Sequence, residues 1–215
     1  IEFNGEAEAT GTDVRIDPYQ MGLKPEQFTN TSNNFTNVEF VVEDGQIVIT
    51  PRAVTLTSET AGKTYDGTAL EKPVVTVTGD GFVKGEVSDI KATGTITNVG
   101  SVTNEITFTK GEKFNEDNYA IEKKEGTLTI TAADAEVIVT IAGNTDNVLY
   151  DGNSHSVYGY TVKSISSKLY TVDDFKFNGT DSVTQTNAGT YPMGLKAEQF
   201  SNNNENFKKV TFVVE

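Results

Sequence analysis

The chain has 215 residues with neither cysteine nor tryptophan, and 17 basic side chains stand against 31 acidic ones, a formal net charge of −14. The lack of cysteine excludes disulfides, zinc–thiolate sites and thiol nucleophiles together. The negative balance opposes phosphate backbones and anionic membrane surfaces, so no nucleic-acid partner is expected, and no apolar run approaches the ~18 residues of a membrane span, so no membrane insertion is expected.

Threonine recurs beside valine, leucine and isoleucine along the chain. Residues branched at Cβ fit a pleated, half-buried surface better than a helix, so the expected elements are strands. Phe3–Gly5 (FNG) reads as an Asn-Gly hairpin signal. Leu23–Phe28 (LKPEQF) is a short helical turn, with Pro25 suited to its first position. The pair Asn34–Phe35 then precedes Glu43–Thr50 (EDGQIVIT), an alternating strand opened by glycine. Past a short linker at Pro51–Ala53 come the strand Val54–Thr57, the turn in Lys63–Leu70 (KTYDGTAL) and the strand Val74–Thr78. The turn Thr97–Ser101 (TNVGS), the pair Asn118–Tyr119 and the strand Lys124–Thr131 (KEGTLTIT) follow. In that strand Leu128 and Ile130 alternate with Thr127, Thr129 and Thr131, which predicts aliphatics on one face and hydroxyls on the other. After the linker Ala132–Ala135, the phrases return as Val148–Val157 (VLYDGNSHSV), Phe177–Gly179 (FNG) and Thr186–Thr190 (TNAGT). Leu195–Phe200 (LKAEQF) is the only other helical turn expected, and Asn206–Phe207 closes the series.

Three phrases therefore recur in order: Tyr-Asp-Gly, Thr-Asn-x-Gly, and a glycine followed by alternating aliphatics. Asp-Gly and Asn-x-Gly suit the left-handed backbone of tight turns. Met21–Glu43 returns almost word for word as Met193–Glu215, and self-similarity at so long a period, about 170 residues, marks an array. The boundaries follow from the phrases. Residues 1–51 are the C-terminal half of an A-type β repeat, and residues 52–132 are a complete B-type repeat. Residues 133–215 are an A-type repeat without its last strand, whose equivalent in the first copy is Asp44–Thr50. The chain begins mid-pattern and reads as a piece of an A-B-A-B array held semi-rigidly by its short linkers. The expected fold is all-β, a tandem of small Ig-like β-sandwich domains; a β-grasp-like arrangement around the AEQF turn is an alternative for the A-type repeat.

The order KTYDGT, TNVGS, NYAI, GTLTIT within Arg52–Thr131 resembles the MBG-type and related Ig-like tandem repeats of giant bacterial surface proteins. The stretch Val137–Val162 is similar to partner repeats that alternate with such units in wall-anchored or secreted proteins of Gram-positive gut bacteria. The resemblance implies an extracellular stalk or adhesin anchored at the cell wall through other regions. Its motifs are turn and strand residues, so no binding or catalytic residue transfers with them.

Residue chemistry gives little to set against this. His155, the only histidine, would need Asp151 and a serine to converge on it for nucleophilic catalysis, and a turn histidine is the simpler expectation. Asp80, Asp173–Asp174 and Glu116–Asp117 are candidate calcium ligands, but no stretch matches the twelve-residue calcium loop, which favours solvated acids. Tyr150, Tyr158, Tyr160 and Tyr170 could stack on sugars; Tyr158 and Tyr160, two residues apart, are expected on one strand face. Lys123–Lys124 and Lys208–Lys209 read as surface lysines rather than isopeptide formers. The sequence thus assigns no catalytic, cofactor-binding or metal-ligating residue, no cofactor and no enzymatic role. It points to a structural spacer, with a module for host glycan or protein as the alternative. The expected partners are neighbouring repeats and, through an unpaired sheet edge completed by Asp44–Thr50 of another molecule, head-to-tail self-association.

Overall fold

The alternation of aliphatics with threonine yields strands throughout the computed structural model, which describes residues 1–215. The molecule is all-β apart from four single 3₁₀ turns, and every sheet has two or three strands with none closed into a barrel. Two compact units are present, and each draws on residues 52–132. The first holds Ile1–Glu59, Pro73–Thr93 and Glu105–Glu125; the second holds Thr60–Lys72, Gly94–Asn104 and Gly126–Glu215.

In the first unit the strand Arg52–Ser58 is central. It runs parallel to Tyr119–Lys124 and antiparallel to Val75–Gly79. Its alternation buries Val54 and Leu56, which pack with Ile106 and Tyr119. Phe82, Phe108 and Phe114 surround them, and Phe114 stacks on Tyr119 with centroids 5.3 Å apart. Gly79 lies against the backbone of this strand with φ +85°, and a Cβ there would stand 2.4 Å from the Ala53 carbonyl oxygen. Residues 1–51 add short pairings, Glu2–Phe3 with Phe28–Thr29 and Tyr19–Gln20 with Gln46–Ile47, and contain no fully buried residue.

In the second unit Gly126–Thr131 lies between Gly100–Asn104 (antiparallel) and Ala61–Thr64 (parallel). Leu128 and Ile130 are buried with Leu70 while Thr127 and Thr131 face outward, as the period of two requires. Val137–Gly143 forms a second centre, antiparallel to Tyr160–Ile165 and parallel to Val210–Val214. Val137, Val139 and Ile141 pack there with Tyr170, Phe175, Phe200 and Phe207. Buried Asn104 is satisfied by its own amide: Nδ2 donates to the Lys72 carbonyl (2.9 Å) and Oδ1 accepts from Gly94 N (3.2 Å).

Several local expectations change. The FNG segments are not hairpins: Phe3 pairs with Phe28 and Phe177 with Phe200, across intervening turns. Asn4 and Asn178 donate their backbone N–H to Gln27 and Gln199 carbonyls, which extends those ladders by one bond. The helical turns Pro25–Gln27 and Ala197–Gln199 form where expected, but Glu116–Asn118 and Val172–Asp174 form two more. Their caps explain them: Asn115 Oδ1 accepts from Asp117 N (3.2 Å), and Asp174 Oδ2 accepts from Thr171 N (2.6 Å). The linker residues are themselves paired. Arg52 and Ala53 belong to a strand, and Ala133 bridges to Phe207.

Candidate functional site

Two of the three Asn-aromatic pairs, Asn118–Tyr119 and Asn206–Phe207, have a structural role that the sequence did not disclose. Asn118 Oδ1 accepts the Val14 backbone N–H at 2.7 Å while its Nδ2 donates to Asp13 Oδ1 at 2.7 Å. Asn206 does the same, accepting from Val99 N at 2.7 Å and donating to Asn98 Oδ1 at 3.1 Å. Each asparagine therefore clasps a Thr-Asp/Asn-Val loop that lies 104 or 107 residues earlier in the chain. The carboxamide suits this task because it offers an acceptor and a donor side by side. The aromatic residue next to it, Tyr119 or Phe207, anchors the clasp in a core. Phe207 also meets Tyr65 edge-on, with centroids 5.5 Å apart.

A second feature is a groove in the second unit, a cavity of about 910 Å³ whose walls include Val148, Tyr150, His155, Tyr191, Met193 and Leu195. His155 Nε2 lies 2.9 Å from Asp151 Oδ1 at its edge. Backbone and side-chain donors of Asn153, then His155, hold the Asp151 carboxyl down at about 2. No serine completes a triad: the Ser156 hydroxyl lies 2.7 Å from the Thr184 hydroxyl on the paired strand.

The candidate ligands are engaged in local structure. Asp174 Oδ1 accepts from Asn204 Nδ2 at 2.8 Å in addition to its cap. Asp80 Oδ2 accepts from Ala53 N (2.9 Å), and its carbonyl accepts from the Arg52 guanidinium. Glu116 pairs with Lys110 at 2.7 Å, which lowers its carboxyl below the usual range, and Asp117 lies in the turn capped by Asn115. Nowhere do three histidine, aspartate or glutamate side chains gather as a metal site.

The tyrosines separate. Gly159, at φ +80°, breaks the strand between Tyr158 and Tyr160, so the two do not share a face. Tyr158 is 65 % exposed, whereas Tyr160 packs against Phe177 and Phe200. Tyr170 is 2 % exposed, its hydroxyl 3.0 Å from both the Asp174 carbonyl and Asn202 Oδ1, and burial pushes that hydroxyl up to about 12. Tyr150 stays exposed. Lys123 Nζ donates to the Ile106 carbonyl (2.7 Å), while Lys124 and Lys208 pair with Glu122 and Asp134. Comparison with family models, with curated proteins and with solved structures finds no match for this chain.

Proposed function

We propose that the chain is a load-bearing spacer, a run of tandem Ig-like β repeats of the MBG type in the stalk of an extracellular bacterial surface protein, with no catalytic role. The observation that carries this reading is the parallel pairing of opening and closing strands. Val137–Gly143, which opens the C-terminal repeat, runs parallel to Val210–Val214 in register from Val137↔Val210 to Ile141↔Val214. In the middle repeat Arg52–Ser58 runs parallel to Tyr119–Lys124, and Ala61–Thr64 parallel to Leu128–Thr131. Tension on a polypeptide enters at the start of the first strand and leaves at the end of the last. For parallel neighbours those points lie at opposite ends of one ladder, so its evenly spaced hydrogen bonds share the load in shear instead of opening singly. The asparagine clasps support the same reading, since they tie each repeat to the one before it.

Because the chain lacks cysteine, single-molecule handles can be attached through introduced ones. Pulling an Ala135→Cys, Glu215→Cys variant loads the Val137–Gly143/Val210–Val214 ladder in shear; pulling Ala135→Cys, Lys209→Cys peels the same ladder from one end. The expected result is a higher unfolding force in the first geometry, and equal forces would sink the reading. Recognition of a host glycan draws less support, because Tyr160 and Tyr170 turn into the core.

A further inference from the structure

We propose that Asn178 is a site of spontaneous deamidation, in which its side-chain amide reacts with the next backbone nitrogen and then with water, and that the chain stays folded around the product. The inference stands independently of the spacer reading. It rests on the second FNG segment, which forms no hairpin.

Phe177 ends the strand that pairs with Phe200–Asn202, and Asn178 N donates the last bond of that ladder to the Gln199 carbonyl at 2.7 Å. The chain is next held at Asp181, whose carbonyl accepts from Gly159 N at 2.7 Å just before the strand Ser182–Gln185. Between these anchors Asn178, Gly179 and Thr180 are exposed, and neither the Asn178 side chain nor the Gly179 N–H has a partner in the chain. The same bend forms at Asn4–Gly5, where Asn4 N donates to the Gln27 carbonyl at 2.8 Å, so the segment's own sequence sets it.

Gly179 carries no Cβ to obstruct the approach of its nitrogen to the neighbouring amide carbon. That nitrogen, its proton lost to hydroxide, bonds to Asn178 Cγ; the Cγ–Nδ2 bond breaks and Nδ2 leaves as ammonia. The five-membered imide then adds water. Opening at Cγ gives aspartate, and opening at the main-chain carbonyl gives isoaspartate, with the chain routed through Cγ. Nothing is oxidised or reduced. Asparagines elsewhere are held against this reaction. Asn118 and Asn206 engage both amide atoms and precede the bulky Tyr119 and Phe207. Asn153, ahead of Ser154, donates from Nδ2 to Asp151 Oδ2 at 3.1 Å.

Isoaspartate adds one carbon to the main chain, about 1.5 Å of path. The addition falls after the nitrogen that donates to Gln199 and before the carbonyl that accepts from Gly159. Both anchors keep their bonds while the unpaired residues between them take up the length. The product is thus a lasting mark, one more negative charge and a longer loop on a folded molecule.

The test compares the full chain with a peptide of sequence FKFNGTDSVT, both incubated in mildly alkaline buffer. Peptide mass spectrometry locates the amide-to-acid change, and isoaspartate methyltransferase labels the rearranged product. In the folded chain Asn178 is expected to react within about 10-fold of its rate in the peptide, the factor that about 1.4 kcal/mol of local ordering makes. It is expected to react ahead of Asn153, and Asn178→Gln to remove label from this segment. A slower reaction in the folded chain, or Asn153 reacting first, overturns the site. The deamidated chain, separated by anion exchange through its added charge, is expected to keep a hydrogen-exchange-protected backbone N–H at position 178 and a single unfolding transition. Loss of that protection overturns the retained fold.

Discussion

Two glycines separate steric from conformational demand at single positions. Gly22 and Gly79 both have positive φ, +76° and +85°, but a Cβ at Gly22 would meet nothing within 4 Å, whereas at Gly79 it would run into the Ala53 carbonyl oxygen. Gly22→Ala is therefore expected to cost about 1 kcal/mol, the strain of a left-handed alanine alone. Gly79→Ala must also push two strands apart, and about 3 kcal/mol or more is expected. Chemical denaturation at unchanged m-value reads both, and equal losses would show that the contact relaxes freely. Asp151 offers a second check. Its folded-state carboxyl titrates at about 2 because Asn153 and His155 donate to it. A depressed carboxyl contributes stability that is in full force above about pH 5 and is lost as pH falls toward its folded midpoint. Carboxyl NMR of the folded chain should place the Asp151 midpoint near 2, and Asp151→Asn should flatten part of the acid limb of the stability curve. A midpoint near that of a free aspartate would show that the turn does not hold its hydrogen bonds in solution.

At the scale of elements, the two clasps make opposite predictions for one substitution. Asn206 faces Asn98, whose amide can turn its nitrogen toward a new carboxylate, so Asn206→Asp is expected to be nearly neutral. Asn118 faces Asp13, so Asn118→Asp sets two carboxylates together while removing a donor, and a loss of about 1–3 kcal/mol is expected. Similar melting shifts for both would dismiss the clasp as an energetic contact. The clasps also mark what the sequence could convey. The strand at Gly126–Thr131 was legible because its period of two is local and tertiary packing agrees with it. The turns at Gly67 and Gly152 were legible because Asp-Gly itself prefers positive φ, here +78° and +81°. The FNG segments misled, since an Asn-Gly dipeptide at a strand end becomes a hairpin only where the partner strand is adjacent. Gly159 misled differently: one positive φ re-aimed Tyr158 and undid the expected shared face. The clasps were visible only as a recurring Asn-aromatic pair. Their partners lie 104 and 107 residues away, and no local pattern specifies contacts at that separation.

For the molecule as a whole, a net charge of −14 sets the response to salt. Ion pairs such as Lys110–Glu116 and Lys208–Asp134 are solvent-exposed, and pairs of that kind contribute little. Self-repulsion among the acids is therefore the larger electrostatic effect, and it is screened as the Debye length shrinks from about 30 Å at 0.01 M to about 3 Å at 1 M. Adding sodium chloride over that range is expected to raise the melting temperature by a few degrees. A falling Tm would show that attractive pairs outweigh the repulsion. The same charge predicts no binding to anionic glycans on an array at micromolar protein.

The clasps carry a consequence at the level of the gene. With the repeat boundaries proposed above, each compact unit takes in residues of two neighbouring repeats, so the compact units are out of phase with the period of the sequence. Both kinds of repeat offer an asparagine to the repeat before and a Thr-Asp/Asn loop to the repeat after. Recombination that deletes or duplicates whole repeats would rejoin complementary halves and regenerate a junction of the same design. Length could thus change by unequal crossing-over while every new seam arrives already matched.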